Sequence, residues 1–365
     1  MNKTRWCLFV ICMIFCSGCV GRNEAQPSLE ELAMVGAIGF DYMDESTMHI
    51  TVIAPQPSPD AKEHTQSYTI EASMVEEGLV QVSAKSDRMI NLSQLRVALF
   101  SEEFAKKGKM LEVIEYFYKE AEVRETVRVG IVKGNAGEVL TGDYPDKPNT
   151  NVFLNNLMEP TLFTSFSPFT DLHIFMADAK NPILSPSVPY LEVVDELPEI
   201  TKIALFNGNH MLDTLNQEEG KISQALSGMK KIAPSVIKLS EEEEVVLKFI
   251  NSNVNYKTNS NFDSPKITIE LSLESALGEY RGPNKLETDN HLKKLQKDVE
   301  KKMEESIHEL LGKLKKLKVD PIGMFEPLRM KYHGKWTEDM TYQLLEKAEF
   351  DIKVDIEIVN IGSLK

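Results

Sequence analysis

Several stretches of the chain alternate apolar and polar positions with the two-residue period of a β-strand. Residues 34–39 and 48–53 flank an acidic turn, which predicts an antiparallel hairpin, and residues 67–72 alternate like a third strand. The apolar runs at residues 95–100 and 127–132 predict two buried strands. The first half of the chain is therefore expected to be rich in strands.

Two other segments repeat apolar residues every three or four positions, as an amphipathic helix does. Residues 105–122 lie between the two buried strands and complete an α/β unit. Residues 267–273 and 350–358 alternate as strands on either side of a second, longer helix. That helix covers residues 290–318 and carries a regular apolar stripe: Leu292, Leu295, Val299, Met303, Ile307, Leu310, Leu314 and Leu317. The pattern predicts an α+β domain whose long helix covers one face of a sheet.

Two local signals refine the second half of the chain. The pair Asn207-Gly208 follows an apolar stretch and is a strong short-range signal for a hairpin turn. Ser240, with Glu243 three residues later, has the pattern of a capping box and predicts a helix over residues 245–250.

The expected fold class is α+β, a multi-domain protein with antiparallel and mixed sheets and a long amphipathic C-terminal helix. We divide the chain into residues 1–18, 19–29, 30–198 and 199–365. The first two segments are a signal peptide and a membrane tether, the third an N-terminal α/β region of one or two lobes, and the fourth a C-terminal α+β domain. Prolines that interrupt helix and central strand alike mark the main boundary: Pro182, Pro186, Pro189 and Pro198.

The N-terminus has the order of a bacterial signal peptide. Lys3 and Arg5 precede the apolar residues 6–15, and small residues follow. The apolar run is about half the length of roughly 20 residues that a spanning helix needs. We therefore expect export rather than a transmembrane helix.

The positions of the cysteines indicate how the exported protein is attached to the membrane. All four cysteines lie within the first 19 residues, which excludes a disulfide framework. Residues 16–19, Cys-Ser-Gly-Cys, resemble a lipobox, although Cys16 stands where leucine is commoner. Cleavage before Cys19 would place its thiol at the new N-terminus, so we predict that Cys19 is lipidated and anchors the protein through acyl chains. The alternative is an ordinary secretory signal with a chance cysteine.

The charge of the chain restricts its partners. The net charge is −15, from 41 basic and 56 acidic residues. Nucleic acid is excluded as a partner class, because its binding depends on Lys and Arg contacts to phosphate. Anionic lipid headgroups would also repel the body, so attachment is expected from the acyl chains and from partner proteins.

No catalytic motif is present, and we predict no catalytic, metal or cofactor site. Asp171 and His173 would lie on one strand face and could begin a metal site, but an ordinary surface pair is favoured. His308 follows Glu304 by four positions, which favours an ion pair on the long helix. A dinucleotide fingerprint is excluded by irregular spacing and by the lack of a clear helix behind the strand, so four residues are interpreted as turn glycines: Gly130, Gly134, Gly137 and Gly142.

Two aromatic segments have alternative interpretations. Residues 163–169, Phe-Thr-Ser-Phe-Ser-Pro-Phe, form either a packed loop at a domain seam, which is favoured, or an exposed patch for a partner. Tyr332, His333 and Trp336 are either core anchors or contacts for a partner.

Four segments in order, residues 92–134, 202–219, 238–250 and 318–336, carry a resemblance that covers nearly the whole mature chain. They resemble the C subunits, of the Ger(x)C lipoprotein type, of nutrient germinant receptors in endospore-forming bacteria. Family members commonly carry Trp-Asp after the lipidated cysteine, whereas Val20 and Gly21 follow it here. This departure concerns the tether and not the domains.

The resemblance implies a receptor made of a multi-spanning A-type subunit, a transporter-like B-type subunit and this lipoprotein. Such receptors sense amino acids or sugars at the spore inner membrane, so the protein is expected on the extracytoplasmic face of that membrane. The resemblance also implies mixed α/β domains of unusual topology without assigned catalytic residues. We expect docking surfaces near Phe166 and on the long helix.

Two other classes stay open. A solute-binding lipoprotein of a transporter would repeat strand and helix in both lobes, and the second half lacks that alternation. A cell-wall enzyme would need a convergent set of acid, base or metal residues, which the sequence does not display.

Overall fold

The structure is a computed structural model that describes residues 28–56, 65–161, 165–259, 261–283 and 289–360. A short 3-10 helix, Leu29–Glu31, opens the described part. Ten α-helices occur in these ranges: α1 (Val75–Lys85), α2 (Glu102–Lys106), α3 (Met110–Lys119), α4 (Ala136–Thr141), α5 (Thr150–Leu157), α6 (Leu172–Ala179), α7 (Gln217–Leu226), α8 (Asp289–Leu317), α9 (Glu326–Arg329) and α10 (Glu338–Lys347).

The first sheet is mixed and has eight strands in the described residues. Its first five strands in chain order are β2 (Ala37–Tyr42), β3 (Met48–Pro55), β4 (Thr65–Ala72), β6 (Val97–Ser101) and β7 (Arg128–Val132). The remaining three are β8 (Ser187–Val194), β9 (Leu197–Asn207) and β10 (His210–Leu215). The spatial order is β10-β9-β8-β7-β6-β2-β3-β4. A separate parallel pair joins β1 (Leu32–Met34) to β5 (Met89–Asn91).

The centre of this sheet is parallel and its margins are antiparallel. Strands β2, β6, β7 and β8 run parallel, while β3 and β4 on one side and β9 and β10 on the other run antiparallel to their neighbours. Every residue of β6 is buried, because helices cover both faces of a parallel sheet. The apolar run at 95–100 and the hairpin at 34–53 are thus confirmed as strands.

Aromatic rings fill the core on one face of the sheet. The rings of Phe40 on β2 and Phe100 on β6 stack with centroids 5.2 Å apart. Phe117 of α3 meets Phe40 edge-on at 5.9 Å, so the apolar stripe of α3 joins the helix to the sheet.

The helix predicted over residues 105–122 is two helices. Gly108 separates α2 from α3 and has φ +75°, a left-handed conformation that favours glycine. The imidazole of His210 from β10 lies against Gly108, and a Cβ there would come within 2.4 Å of it. The chain therefore bends at Gly108, where His210 of β10 packs against it.

Two of the four glycines that we interpreted as turn residues lie in regular elements instead. Gly134 has φ +87° and is a turn glycine, but Gly130 lies within β7 and Gly137 within α4. A helix does follow the strand, contrary to the sequence interpretation. Its N-terminus binds the carboxylate of Asp41, which accepts the amides of Ala136 at 2.6 Å and Gly137 at 2.9 Å. The helix end that binds phosphate in dinucleotide folds here holds the protein's own acid.

The boundary at residue 198 lies close to a hairpin turn. Asp195 and Glu196 have φ of 47° and 68° and connect β8 to β9, which pair along their length. Residues 199–215, which we assigned to the C-terminal domain, therefore complete the large sheet. The predicted hairpin between β9 and β10 is present, but its two turn residues are Gly208, with φ +57°, and Asn209, while Asn207 belongs to β9 and pairs with His210.

The second sheet is formed by β11 (Lys231–Ile232), β12 (Ser235–Lys238), β13 (Glu244–Thr258), β14 (Lys266–Arg281) and β15 (Glu349–Asn360). The order is β11-β13-β14-β15, with β12 also paired to β13. Helix α8 packs on β15, and its Val299, Ile307 and Leu314 are fully buried. The long helix, the two alternating strands and the α+β arrangement are confirmed.

The helix predicted over residues 245–250 is wrong. These residues belong to β13 and pair with β12 and β14. The amides of Leu239 and Ser240 bond to the carbonyl of Glu243 at 2.9 and 3.1 Å, so the supposed capping box is a turn between strands. Val245, Val246 and Ile250 are β-branched residues that fit a pleated sheet, and strand pairing decided the outcome.

Candidate functional site

The predicted lipidation residue, Cys19, lies outside the described residues, as do the signal peptide and most of the tether. Among the described helices, none combines the length and apolarity required to cross a bilayer. Lipidation of Cys19 stays a prediction.

The aromatic segment around Phe166 is packed inside the molecule. Phe166 is 3% exposed and lies against Gly220 of α7, where an added Cβ would be 3.3 Å from its ring. The guanidinium of Arg128 stacks on Phe169 at 3.6 Å. The described residues 165–169 therefore form a packed seam, and a docking surface on Phe166 is wrong. Phe163 lies outside the described residues.

The histidine pairs have structural roles. Asp171 is the N-cap of α6, not a strand residue, and accepts the amide of Ile174 at 2.8 Å. His173 Nδ1 lies 3.3 Å from the carboxylate of exposed Glu125. Glu304 accepts the amide of Val354 at 3.2 Å instead of pairing with His308. Within the described ranges, no three His, Cys, Asp or Glu side chains form a group that could hold a metal ion.

The residues after the long helix anchor the core. Trp336 is 7% exposed, meets Tyr332 edge-on at 5.7 Å and donates from Nε1 to Thr341 Oγ1 at 2.9 Å. Thr341 Oγ1 donates in turn to the carbonyl of Pro182 at 2.6 Å. This chain of bonds joins the C-terminal part to the segment before β8, so the core-anchor interpretation of Trp336 is the one the structure supports.

The same junction contains a fully buried acid, Asp320, in the turn after α8. Its Oδ1 accepts the amides of Ile322, Gly323 and Met324 at 3.1, 2.7 and 3.2 Å. Burial raises the pKa of Asp320 to about 6, against the lowering effect of these amides. Its backbone exchanges two bonds with Ser185, both of 3.0 Å.

A cleft of about 440 Å³ opens between α7 and α8 over strands β12 and β13. We call it the C-terminal cleft. Its floor is apolar and comes from six elements: Ile222 and Ala225 of α7, Ile232 of β11, Ile237 of β12, Leu247 and Ile250 of β13, Leu273 of β14 and Met303 of α8. A volume of this size and an apolar lining are typical of small-molecule sites.

The rim of the C-terminal cleft is polar. Lys221, Lys238 and Lys302 line it, together with one acid, Glu218. Both carboxylate oxygens of Glu218 already have partners. Lys221 Nζ lies 2.6 Å from one oxygen, and Ser235 Oγ donates to the other at 2.6 Å. Lys302 Nζ lies 3.7 Å from Glu305, so Lys238 is the rim lysine without an ion pair among the described residues, and its charge suits an anionic group on an otherwise apolar molecule.

A capping box fixes the helix on one side of this cleft. Asn216 Oδ1 accepts the amide of Glu219 at 2.9 Å, and the Glu219 carboxylate accepts the amide of Asn216 at 2.8 Å. Lys313 of α8 donates to Glu219 at 3.1 Å and to the carbonyl of Thr214 at 2.7 Å, so it ties the two helices together. The spacing of Asn216 and Glu219 was a usable signal for α7 that our sequence analysis missed.

Two family models match the chain in succession. A model described as "Spore germination protein N-terminal domain" matches residues 25–193, and one described as "Spore germination B3/ GerAC like, C-terminal" matches residues 201–362. The gap between the matches lies at the β8–β9 hairpin.

Known relatives match over nearly their whole length. Spore germination protein GerQC of Bacillus cereus is 22% identical over 98% of this chain and 99% of its own. Spore germination protein KC of Bacillus subtilis is 21% identical over 97% of this chain and 95% of its own. The crystal structure of the GerBC protein has the same fold, with a TM-score of 0.57 at 16% identity over 88% of this chain and 97% of that one. The chain therefore belongs to the Ger(x)C family of spore germination proteins.

Proposed function

We propose that the protein is a non-enzymatic, lipid-anchored subunit of a membrane nutrient receptor required for spore germination. It acts by assembly with integral membrane subunits, a multi-spanning A-type and a transporter-like B-type, on the extracytoplasmic face of the spore inner membrane. The observation that carries the proposal is the pair of family matches, which together cover residues 25–193 and 201–362.

The polar groups of the body support a structural rather than a catalytic role. Asp41 caps α4, Asp171 caps α6, and Asp320 holds the turn after α8. The acids that the fold buries are thus used in hydrogen bonds to backbone amides. Release of muropeptides on incubation of the purified body with peptidoglycan would contradict the non-enzymatic part of the proposal.

Deletion of the gene tests the receptor role. We expect spores that fail to respond to one nutrient but still germinate with triggers that bypass nutrient receptors. The loss of optical density on germination measures both responses. Loss of every germination route would contradict the proposal and indicate a general role.

A second candidate function is small-ligand binding in the C-terminal cleft. Lys238, the rim lysine that makes no ion pair in the described part of the chain, favours a carboxylate over a neutral sugar. Calorimetry of the protein against amino acids and sugars tests this function. Met303→Trp should fill the cleft and abolish binding, whereas Met89→Trp, at a residue that is 59% exposed on β5, should not. Equal binding by both variants would exclude the cleft as the site.

A further inference from the structure

Strand β12 forms an edge of the second sheet. In the described part of the chain it pairs with β13 and has no strand on its other side. At the opposite edge, the carboxylates of Glu300 and Glu304 of α8 accept amides of β15. Unpaired edges are templates for the pairing of another chain, and proteins normally cover them. The edge of β12 is therefore a place where backbone groups can bind an external partner.

The hydrogen bonds at the end of β12 show how its backbone is oriented. The Leu239 amide donates to the Glu243 carbonyl at 2.9 Å, which continues the register that places Ile237 opposite Val245. Bonded and non-bonded pairs alternate along an antiparallel ladder. Ile237 therefore directs its amide and carbonyl towards β13.

The alternate residues of β12 have the opposite orientation. Val236 and Lys238 direct their amides and carbonyls away from the sheet. Among the described residues, these four backbone groups have no hydrogen-bond partner. They form a short row of two donors and two acceptors along the free edge.

A bulge in β13 limits the length of this free edge. Lys248 pairs with Ala276 and Asn251 pairs with Glu274, so Phe249 and Ile250 stand opposite one residue of β14. Phe249 has φ +53°, and the alternation of buried side chains along β13 reverses there. The edge is accordingly divided into β11 and β12. The four residues of β12 span about 13 Å, which suits a short ligand better than a long strand of another protein.

The free edge lies at the C-terminal cleft. All four residues of β12 line the cleft, together with Ile222 of α7 and Met303 of α8. Ile237 is 8% exposed and belongs to the core, whereas Val236 is 47% exposed. A strand added to β12 would place alternate side chains beside Ile237, in the apolar space between the two helices. Backbone bonds at an edge and a pocket for alternate side chains are the two elements of peptide recognition by strand addition.

We propose that the C-terminal cleft binds a short apolar peptide, about three residues long, as an added strand on β12. The backbone groups of Val236 and Lys238 bond to the peptide backbone, and the peptide side chains beside Ile237 fill the cleft. A single amino acid is too short to pair with both edge residues, and a fatty acid has no amides to donate. This inference deepens the second candidate function and rests on it.

Two peptide probes test the role of the backbone bonds. N-acetyl-Leu-Ala-Leu with a free carboxylate has both the apolar side chains and the amide donors. The same peptide with every amide nitrogen methylated keeps the side chains and loses the donors. Calorimetry with the full-length protein should show binding of the first probe at least about tenfold tighter, because the edge carbonyls stay unpaired with the second.

The substitution Val236→Pro tests the edge from the side of the protein. Proline removes the outward amide and leaves the bonds of β12 to β13 in place, as at other edge positions where proline is tolerated. Binding of the unmethylated probe should weaken at least about tenfold. Val236→Ala is the matched control, because it keeps the amide, and it should bind within about twofold of the wild type.

The comparison of the two probes needs no variant, so it is decisive even if Val236→Pro does not fold. Equal binding of both probes by the wild type, or of amino acids without either peptide, would overturn strand addition and leave the second candidate function intact. Equal binding of the unmethylated probe by folded Val236→Pro and by Val236→Ala would also overturn it. If no peptide, amino acid or sugar binds, the second candidate function itself fails.

Discussion

Buried polar side chains make the hydrogen bonds at the junction between the large sheet and the C-terminal part. One of them, Asp320, has a raised pKa whose effect on stability can be measured. Burial raises the pKa of Asp320 to about 6 from its ordinary value of 3.8. Between these two pH values the folded protein binds the proton and the unfolded chain does not. The contribution of this group to the free energy of unfolding therefore grows as the pH falls from 7 to 5, and is lost as the pH rises through 6.

Asp320→Asn tests this titration. The amide oxygen can still accept the three backbone bonds, and the buried charge is removed. The NH2 group of asparagine takes the place of Oδ2, which has no hydrogen-bond partner among the described residues, and this cost is the same at every pH. Relative to the wild type, the variant should therefore be more stable at pH 7 than at pH 5 by about 1 kcal/mol. Chemical unfolding at both pH values measures it. A constant difference would contradict the account, and exposed Asp143→Asn serves as the control.

At the residue scale, sequence reasoning could find what has a local signature. The signal order before Cys19 is such a signature, and the pair Asn207-Gly208, which predicted the hairpin of β9 and β10, is another. Neither the burial of Asp320 nor the bulge at Phe249 could be predicted in this way, because both depend on which strands and segments become neighbours. In the sequence, Phe249 is one apolar residue of the helix that we predicted over residues 245–250.

Among the elements, α8 and β15 form a unit that protects a sheet edge. β15 is the last strand in the order, so one row of its backbone groups has no strand partner among the residues that the structure describes. Glu300 and Glu304 accept the amides of Ile356 and Val354, each at 3.2 Å, and Gln296 donates to the carbonyl of Ile356 at 3.1 Å. Exposed edges are templates for aggregation, and side chains of α8 cover this one.

The double substitution Glu300→Ala, Glu304→Ala should expose this edge. We expect a loss of about 1–3 kcal/mol in the free energy of unfolding, because two partly buried amides lose their acceptors. Faster aggregation on light scattering should accompany it. Glu305→Ala, on the exposed side of α8 near Lys302, should stay within about 0.5 kcal/mol of the wild type. Equal stability of the double variant would contradict the protective role.

Elements with a long regular period were predictable, and elements decided by pairing were not. Helix α8 has 29 residues, and its apolar stripe from Leu292 to Leu317 is long enough for the period to identify the helix without further information. Residues 245–250 show both a capping pattern and β-branched side chains. The two signals conflict locally, and only the partners β12 and β14 resolve the conflict.

On the scale of the whole molecule, the two parts share one core. A continuous group of buried side chains includes Leu99 and Leu205 of the first sheet together with Leu271 and Ile307 of the C-terminal part. Our division at residues 198 and 199 stays a prediction about folding units. Its sequence signal was the run of prolines, of which Pro189 and Pro198 lie within paired strands.

The membrane location of the whole molecule depends on a residue outside the described part. In spores that lack the integral membrane subunits, Cys19→Ser should prevent acylation and release the protein to the soluble fraction of extracts, because the acyl chains are then the one expected attachment. Immunodetection in membrane and soluble fractions measures the distribution. Ser17→Ala leaves the cysteine in place and should keep the protein in the membrane fraction. Unchanged membrane association of Cys19→Ser would contradict lipid anchoring.

Purification of the tagged, membrane-bound protein from spores tests the central claim most directly. Quantitative mass spectrometry of the detergent-extracted material should find the A-type and B-type integral membrane subunits of one receptor in amounts close to that of this protein. Recovery of the protein alone, from membranes in which those subunits are present, would contradict the account.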